Sequence, residues 1–276
     1  EKYTVYAGSG GTVRQKREIA SILGVENNQV RVYALDVGGN FGTRNRLFVE
    51  FPLVAWASRK VGRPVKLTVD RSEAFVSDYQ GRDLIVDMEL ALDADGTFRA
   101  LRSSNISNVG AKCVSLSPLS KGSGIITGSY RIPVAHLRSR ATFSNTPPTN
   151  AYRSSGRPEI IYCIECMVEK TARTLGFDPI ELRRKNLITA EEMPYRNAVG
   201  MHYDSGEYEK SLDMVMRLNN WDGFGARKLE AKSRGKILGR GVAHYVESSI
   251  GTPVEQAELH VRVDGHRPAR GGREER

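Results

Sequence analysis

VRVYALDVGGNFGTRN, residues 30–45, decides how the N-terminal part of this chain folds. Val30 and Val32 alternate with Arg31 and Tyr33, the period of a strand, and the run reaches Val37 before Gly38-Gly39 breaks it. Paired glycines let a backbone turn tightly and approach a ligand closely. Successive amide N–H groups in such a turn can cradle anionic oxygens. The turn is not a G-x-G-x-x-G motif, and no acidic residue stands where a dinucleotide ribose would be read. A second small-residue turn, NAYRSSGRPE at 150–159, sets Arg153 and two serines before a helix that opens at Pro158. Free amides at a helix start and a neighbouring arginine suit an anion. Read singly, each stretch is first of all a plain structural turn or helix-entry loop.

Outward from the first turn, residues 3–7 alternate as a short strand, Gly8–Gly11 form a loop, and Val13, Ala20 and Leu23 recur at helical spacing until Gly24. A helix is expected over Leu47–Val61, with Phe51, Val54, Ala55 and Val61 on one face. GRPVKLTVD (62–70) reads as a strand, and residues 82–107 as a hairpin turning at Asp95-Gly96. Residues 107–129 read as a long loop, and Leu137–Phe143 as a strand. From Pro158 an apolar face runs through Ile160, Ile164, Val168 and Ala172 to a stop at Gly176, and a short helix restarts at Pro179. Helices are expected over Glu207–Leu218 and near 225–234, then strands in GRGVAHYVE (239–247) and VEQAELHVRVDG (254–265). The mixture is α+β, built of strand–helix units and hairpins rather than a regular βαβ alternation.

The 276 residues carry a formal charge of +9, but basic and acidic residues alternate through most of the chain, and aromatics do not interleave with basic runs. That pattern disfavours nucleic acid and fits a surface that attracts anions or an acidic partner subunit. No apolar run approaches the ~18 residues of a membrane span. The five histidines are scattered singly, and Cys113, Cys163 and Cys166 lack the companions of a zinc site, so they read as core thiols of a reducing compartment. Ser154 and Ser155 have no His or Lys nearby to act as base, which excludes a serine hydrolase. The chain starts without Met, inside strand-like sequence, and is expected to lack its natural N-terminus. Its last residues, HRPARGGREER (266–276), lose all periodicity and read as a non-native basic tail, such as an out-of-frame read of GC-rich coding DNA would give.

Taken together and in order, VRVYALDVGGNFGTRN, GRPVKLTVDRSEAF (62–75), LDADGTFRAL (92–101), NAYRSSGRPE and ARTLGFDPIELRRKNLI (172–188) resemble the molybdopterin-binding large subunit of the xanthine dehydrogenase, aldehyde oxidase and aerobic carbon monoxide dehydrogenase family. The resemblance covers roughly residues 3–263. It implies a first molybdopterin-binding domain over 1–213, N-terminally truncated, and the start of a second over 214–265. It also implies a molybdenum hydroxylase that inserts a water-derived oxygen into an aldehyde or N-heterocycle. The metal would be held by the dithiolene of a pterin, possibly a cytosine dinucleotide, and not by protein side chains. Electrons would leave through an iron–sulfur subunit and an FAD subunit, in a cytoplasmic dimer of heterotrimers.

Residue by residue, Gly38, Gly39, Phe41 and Gly42 match the family's glycine turn beside the metal, and Arg153 the arginine at the molybdenum site. Together they are expected to line one pocket. Ser154 and Ser155 fall where substrate-lining residues stand, and Asn45 where purine oxidisers have glutamate. Carbon monoxide oxidisers carry cysteine at the Ser154 position; serine does not bind Cu(I) as a thiolate does, which argues against that substrate. Ser9-Gly10-Gly11 replaces a frequent glutamine, so a hydrogen bond to the metal's oxo ligand is missing or made by Ser9, and Asn40 replaces the third glycine of the turn. The family's general-base glutamate has no counterpart here, so no catalytic residue is assigned and the piece is expected to be inactive alone. The rival reading is a non-catalytic cofactor-binding or assembly module.

Overall fold

The computed structural model describes residues 2–247. They form two compact units, one ending at Val69 and one spanning Asp70–Glu247. Each is α+β, as expected.

The first unit is a strand, a helix and a strand, followed by a second helix. β1 (Tyr3–Tyr6) and β2 (Val30–Tyr33) pair in parallel, from Tyr3 opposite Val30 to Tyr6 opposite Tyr33. Parallel neighbours need a crossover, and α1 (Thr12–Leu23) supplies it. Val5, Val30, Ile19, Ala20 and Ala55 of α2 (Glu50–Val61) close into one apolar cluster. The inner face of α1 is turned to Gln15, Ile19 and Ala20, leaving Val13 exposed; Val61 is exposed likewise at the end of α2. α2 starts three residues later than the pattern suggested, with Pro52 in its first turn, where a missing N–H costs no helical bond. Both strands end at the same edge, and the loops that leave it carry Ser9 and the glycine turn. The carboxyl edge of parallel strands is where α/β units place ligands.

Residues 62–70, expected as a strand, pair with no other strand among the described residues. Alternation alone does not make a ladder without a partner. The next residues form a helix the pattern reading missed, α3 (Arg71–Ser77), whose start is signalled by Asp70: its carboxylate accepts from the Glu73 N–H at 2.8 Å.

In the second unit β3 (Leu84–Leu92) and β4 (Phe98–Gly110) make the expected antiparallel hairpin, and β5 (Val134–Phe143) adds in parallel to β4. Gly96 stands at the turn with φ 87°. The stretch read as a long loop is shorter than expected, because β4 runs on to Gly110 and α4 (Ser117–Ser123) fills part of the rest. α5 (Arg157–Leu175) buries Ile160, Ile164, Val168 and Ala172 against Phe98, Leu101 and Tyr130. Asn186, at the end of α6 (Pro179–Asn186), sews the hairpin turn to this core: it accepts from the Phe98 N–H at 2.8 Å and donates to Gly96 O at 2.9 Å. The unit continues through a two-residue pair, β6 (Tyr195–Arg196) and β7 (His202–Tyr203), then α7 (Tyr208–Leu218) and α8 (Phe224–Ser233).

GRGVAHYVE is not a strand. Its alternation is real, but it serves packing: Val242 and Val246 sink into apolar clusters, while Tyr245 and Glu247 reach toward polar partners. The cysteines are not core thiols either. Cys113 is exposed in the loop between β4 and α4, while on α5 Cys166 is exposed and Cys163 half-buried, because both fall off the helix's buried face. The strand read over 254–265 and the basic tail 266–276 lie outside the described residues.

Candidate cofactor site

In the first unit the glycine turn is tied to the loop before α1. The Gly10 N–H donates to Arg44 O at 3.2 Å, and the Ala7 N–H to Tyr33 O at 3.0 Å. Gln15, fully buried, donates from Nε2 to Arg44 O and Arg46 O, both at 3.3 Å. Pattern reading missed Gln15; its spacing of four from Ile19 was the available signal. Ser9 is buried and its Oγ accepts from the Gly11 N–H at 3.0 Å, so this hydroxyl shapes the entry to α1.

The turn itself is built around Asn40. Its side-chain oxygen accepts from the Gly42 N–H at 3.2 Å, its Nδ2 donates to Asn45 Oδ1 at 2.9 Å, and its backbone oxygen accepts from Thr43. Asn40 and Asn45 therefore brace each other across the turn. Gly39, Phe41 and Gly42 have φ of 129°, 50° and 95°. For Phe41 this left-handed conformation is strained, and strain of this kind is retained where neighbouring structure enforces it. The Phe41 ring is exposed. Among the described residues the amides of Gly38 and Gly39 donate to no backbone carbonyl, whereas those of Gly42 and Thr43 are engaged within the turn.

The second unit holds the Arg153 stretch in an equally determined way. Ser154 has φ 64° and Gly156 φ 85°. At Gly156 only glycine fits: a Cβ would lie 2.3 Å from Pro118 O, because α4 passes directly against the start of α5. Three consecutive carbonyls are held by arginines. Arg82 donates to Tyr152 O at 3.5 Å and Arg153 O at 2.6 Å, and Arg157 donates to Ser154 O at 3.0 Å. Arg157 is buried and pairs with Glu247 at 3.0 Å. The Tyr245 phenol, pushed up by burial and held down by a hydrogen bond with Ser154, also donates to Glu247 at 3.0 Å.

Two groups of this loop are left over. The Ser155 hydroxyl is buried with no hydrogen-bond partner, and the exposed Arg153 guanidinium makes no ion pair or hydrogen bond, among the described residues. A buried orphan hydroxyl costs about 1–3 kcal/mol unless a ligand or water satisfies it. Among the described residues no cluster of His, Cys, Asp or Glu could hold a metal ion. The donors on offer are backbone amides in the first unit, and a guanidinium and a hydroxyl in the second, groups that suit oxygen-rich ligands.

A different buried network lies behind this loop. Tyr130 donates to Glu165 at 2.5 Å, Arg183 pairs with Glu165 at 3.0 Å and with Glu169 at 3.2 Å, and the Tyr130 and His244 rings meet edge to face. Burial raises the Glu165 carboxyl, Arg183 opposing it, and burial lowers the His244 imidazole to about 4. Every member except His244 is satisfied, and its function is to fix α5, α6 and the segment 242–247 together.

The model of the molybdopterin cofactor-binding domain matches residues 1–187, and the chain belongs to that family. It is 31% identical over 249 residues to the 6-hydroxypseudooxynicotine dehydrogenase complex subunit gamma of Paenarthrobacter nicotinovorans, covering 87% of this chain and 31% of that protein. It is 33% identical to the carbon monoxide dehydrogenase large chain of Hydrogenophaga pseudoflava, covering 88% of this chain and again 31% of the relative. Among solved structures, quinoline 2-oxidoreductase from Pseudomonas putida 86 superposes with a TM-score of 0.78 at 29% identity, over 85% of this chain and 30% of that one. The chain thus spans about a third of the length of these relatives. No helix among the described residues is long and apolar enough to cross a membrane.

Proposed function

We propose that this chain is part of the large subunit of a molybdenum hydroxylase that oxidises an aldehyde or an N-heterocycle with oxygen drawn from water. The observation that carries the reading is the Arg153–Ser155 loop: a strained turn whose carbonyls are held by two arginines while its guanidinium and a buried hydroxyl remain open. Gly38, Gly39, Phe41 and Gly42 in the first unit and Arg153 in the second each contribute to holding the pterin cofactor. The open amides of Gly38 and Gly39 are the donors the turn offers. Asn45, Ser154 and Ser155 contact substrate. When bound, the cofactor supplies the redox chemistry, and the chain supplies placement, hydrogen bonds and exclusion of water.

Relatives named for quinoline and for 6-hydroxypseudooxynicotine support an organic substrate. Ser154 supports the same choice over carbon monoxide, since its hydroxyl offers no thiolate to Cu(I). The subunit naming of the relatives supports partner chains, which we take to be an iron–sulfur and an FAD subunit in a cytoplasmic dimer of heterotrimers, with the pterin as a cytosine dinucleotide. The domain division at about residue 213 and the inactivity of the 276-residue piece alone belong to the same reading.

The test is dye-linked oxidation of benzaldehyde and quinoline by the full-length subunit, loaded with cofactor and joined to its partners. Turnover of either one, lowered about a hundredfold in Arg153→Ala, supports the reading. Turnover unchanged by that substitution overturns it.

A further inference from the structure

Arg82 lies about 70 residues from the stretch it holds, yet it makes four contacts with it and with the helix that follows. Its guanidinium donates to Tyr152 O and Arg153 O, stacks over the Tyr152 ring at 4.9 Å, and pairs with Glu159 at 2.9 Å. Its own backbone is in the left-handed region, φ 58°, which a non-glycine residue adopts at a cost. The residues before it leave little slack. Gln80 N donates to Pro148 O, Gln80 O accepts from Asn150 N, and a Cβ at Gly81 would stand 3.1 Å from the Tyr152 side chain. The second oxygen of Glu159 is buried without a partner among the described residues, so its charge is compensated by Arg82.

We propose that Arg82 is the positioning residue of the candidate site: by fixing the Tyr152 and Arg153 carbonyls it sets the direction of the Arg153 side chain and leaves that guanidinium free for a ligand. This rests on the function proposed above. A planar fork is needed, because two carbonyls, a carboxylate and an aromatic face are engaged at once. A lysine keeps the charge opposite Glu159 but offers neither the fork nor the stacking plane.

The experiment compares wild type, Arg82→Lys and Arg153→Ala in the full-length, cofactor-loaded subunit, and measures amide hydrogen exchange of residues 152–155 in the same full-length subunits prepared without cofactor. For Arg82→Lys we expect an unchanged thermal midpoint and molybdenum content, exchange at 152–155 faster by about tenfold, and kcat lower by about tenfold with KM unchanged. Unchanged exchange, or faster exchange with unchanged kcat, overturns the proposal. If Arg153→Ala alone leaves turnover intact, the functional reading fails instead, and the exchange result still decides whether Arg82 holds the loop. Should Arg82→Lys fail to fold, Arg82→Gln with Glu159→Gln removes both charges together and is held to the same criteria.

Discussion

Gly156 shows how one residue couples fold to site. Its φ of 85° and the 2.3 Å that a Cβ would leave to Pro118 O mean that Gly156→Ala both strains the turn and pushes α4 from α5. The expected loss is about 2–4 kcal/mol, read as a lower urea midpoint with an unchanged slope. His244 is the second case. Its imidazole is lowered to about 4 by burial among Tyr130, Glu165 and Arg183, whereas an unfolded histidine titrates near 6.5. The unfolded chain therefore binds the extra proton first, and stability falls as pH drops from about 6.5 to about 4, then levels off. The partly exposed ring limits this to on the order of 2 kcal/mol. His244→Leu should flatten that part of the stability–pH curve; an unaltered slope would assign it to other groups. A glycine, a proline, two serines and two arginines within ten residues made the 150–159 stretch readable from sequence. Arg82 and Gln15 were not, since their partners are distant in sequence and nothing local marks a long polar side chain as buried.

Among elements, those with a strong period and their own stop signals were legible: α1, the β3–β4 hairpin, α5 closing at Gly176, and α7. Failures came where the period was right but its use was different. Residues 62–70 and 239–247 were both read as strands, yet the first has no ladder partner among the described residues and the second spends its alternation on packing. The α5–α6 contact hangs on an ion pair that composition could not reveal, Glu165 with Arg183. Arg183→Met leaves the Glu165 carboxylate buried with no cation, held by the Tyr130 hydroxyl and the His244 backbone N–H, and should cost about 3–5 kcal/mol in urea unfolding. Adding Glu165→Gln to that variant should recover part of the loss; full additivity of the two single losses would show that the pair is not coupled.

At the scale of the whole molecule, ordered motifs identified the family where single motifs did not. Each glycine turn is ambiguous alone; five stretches in one order are not, and the match over residues 1–187 agrees. The structure adds what spacing could not: Asn40 and Asn45 brace the first turn, arginines brace the second, and Ser155 is left as a buried, unpartnered hydroxyl. Ser155→Ala should therefore leave stability unchanged or raise it by about 1 kcal/mol, while weakening retention of the molybdenum cofactor, measured as metal content after gel filtration. The central claim is that this site belongs to a hydroxylase drawing its oxygen from water. It is tested most directly by letting the full-length enzyme oxidise quinoline or benzaldehyde in heavy-oxygen water with a dye as electron acceptor. The account predicts product carrying the heavy label from water; product that takes its oxygen from dissolved dioxygen would contradict it.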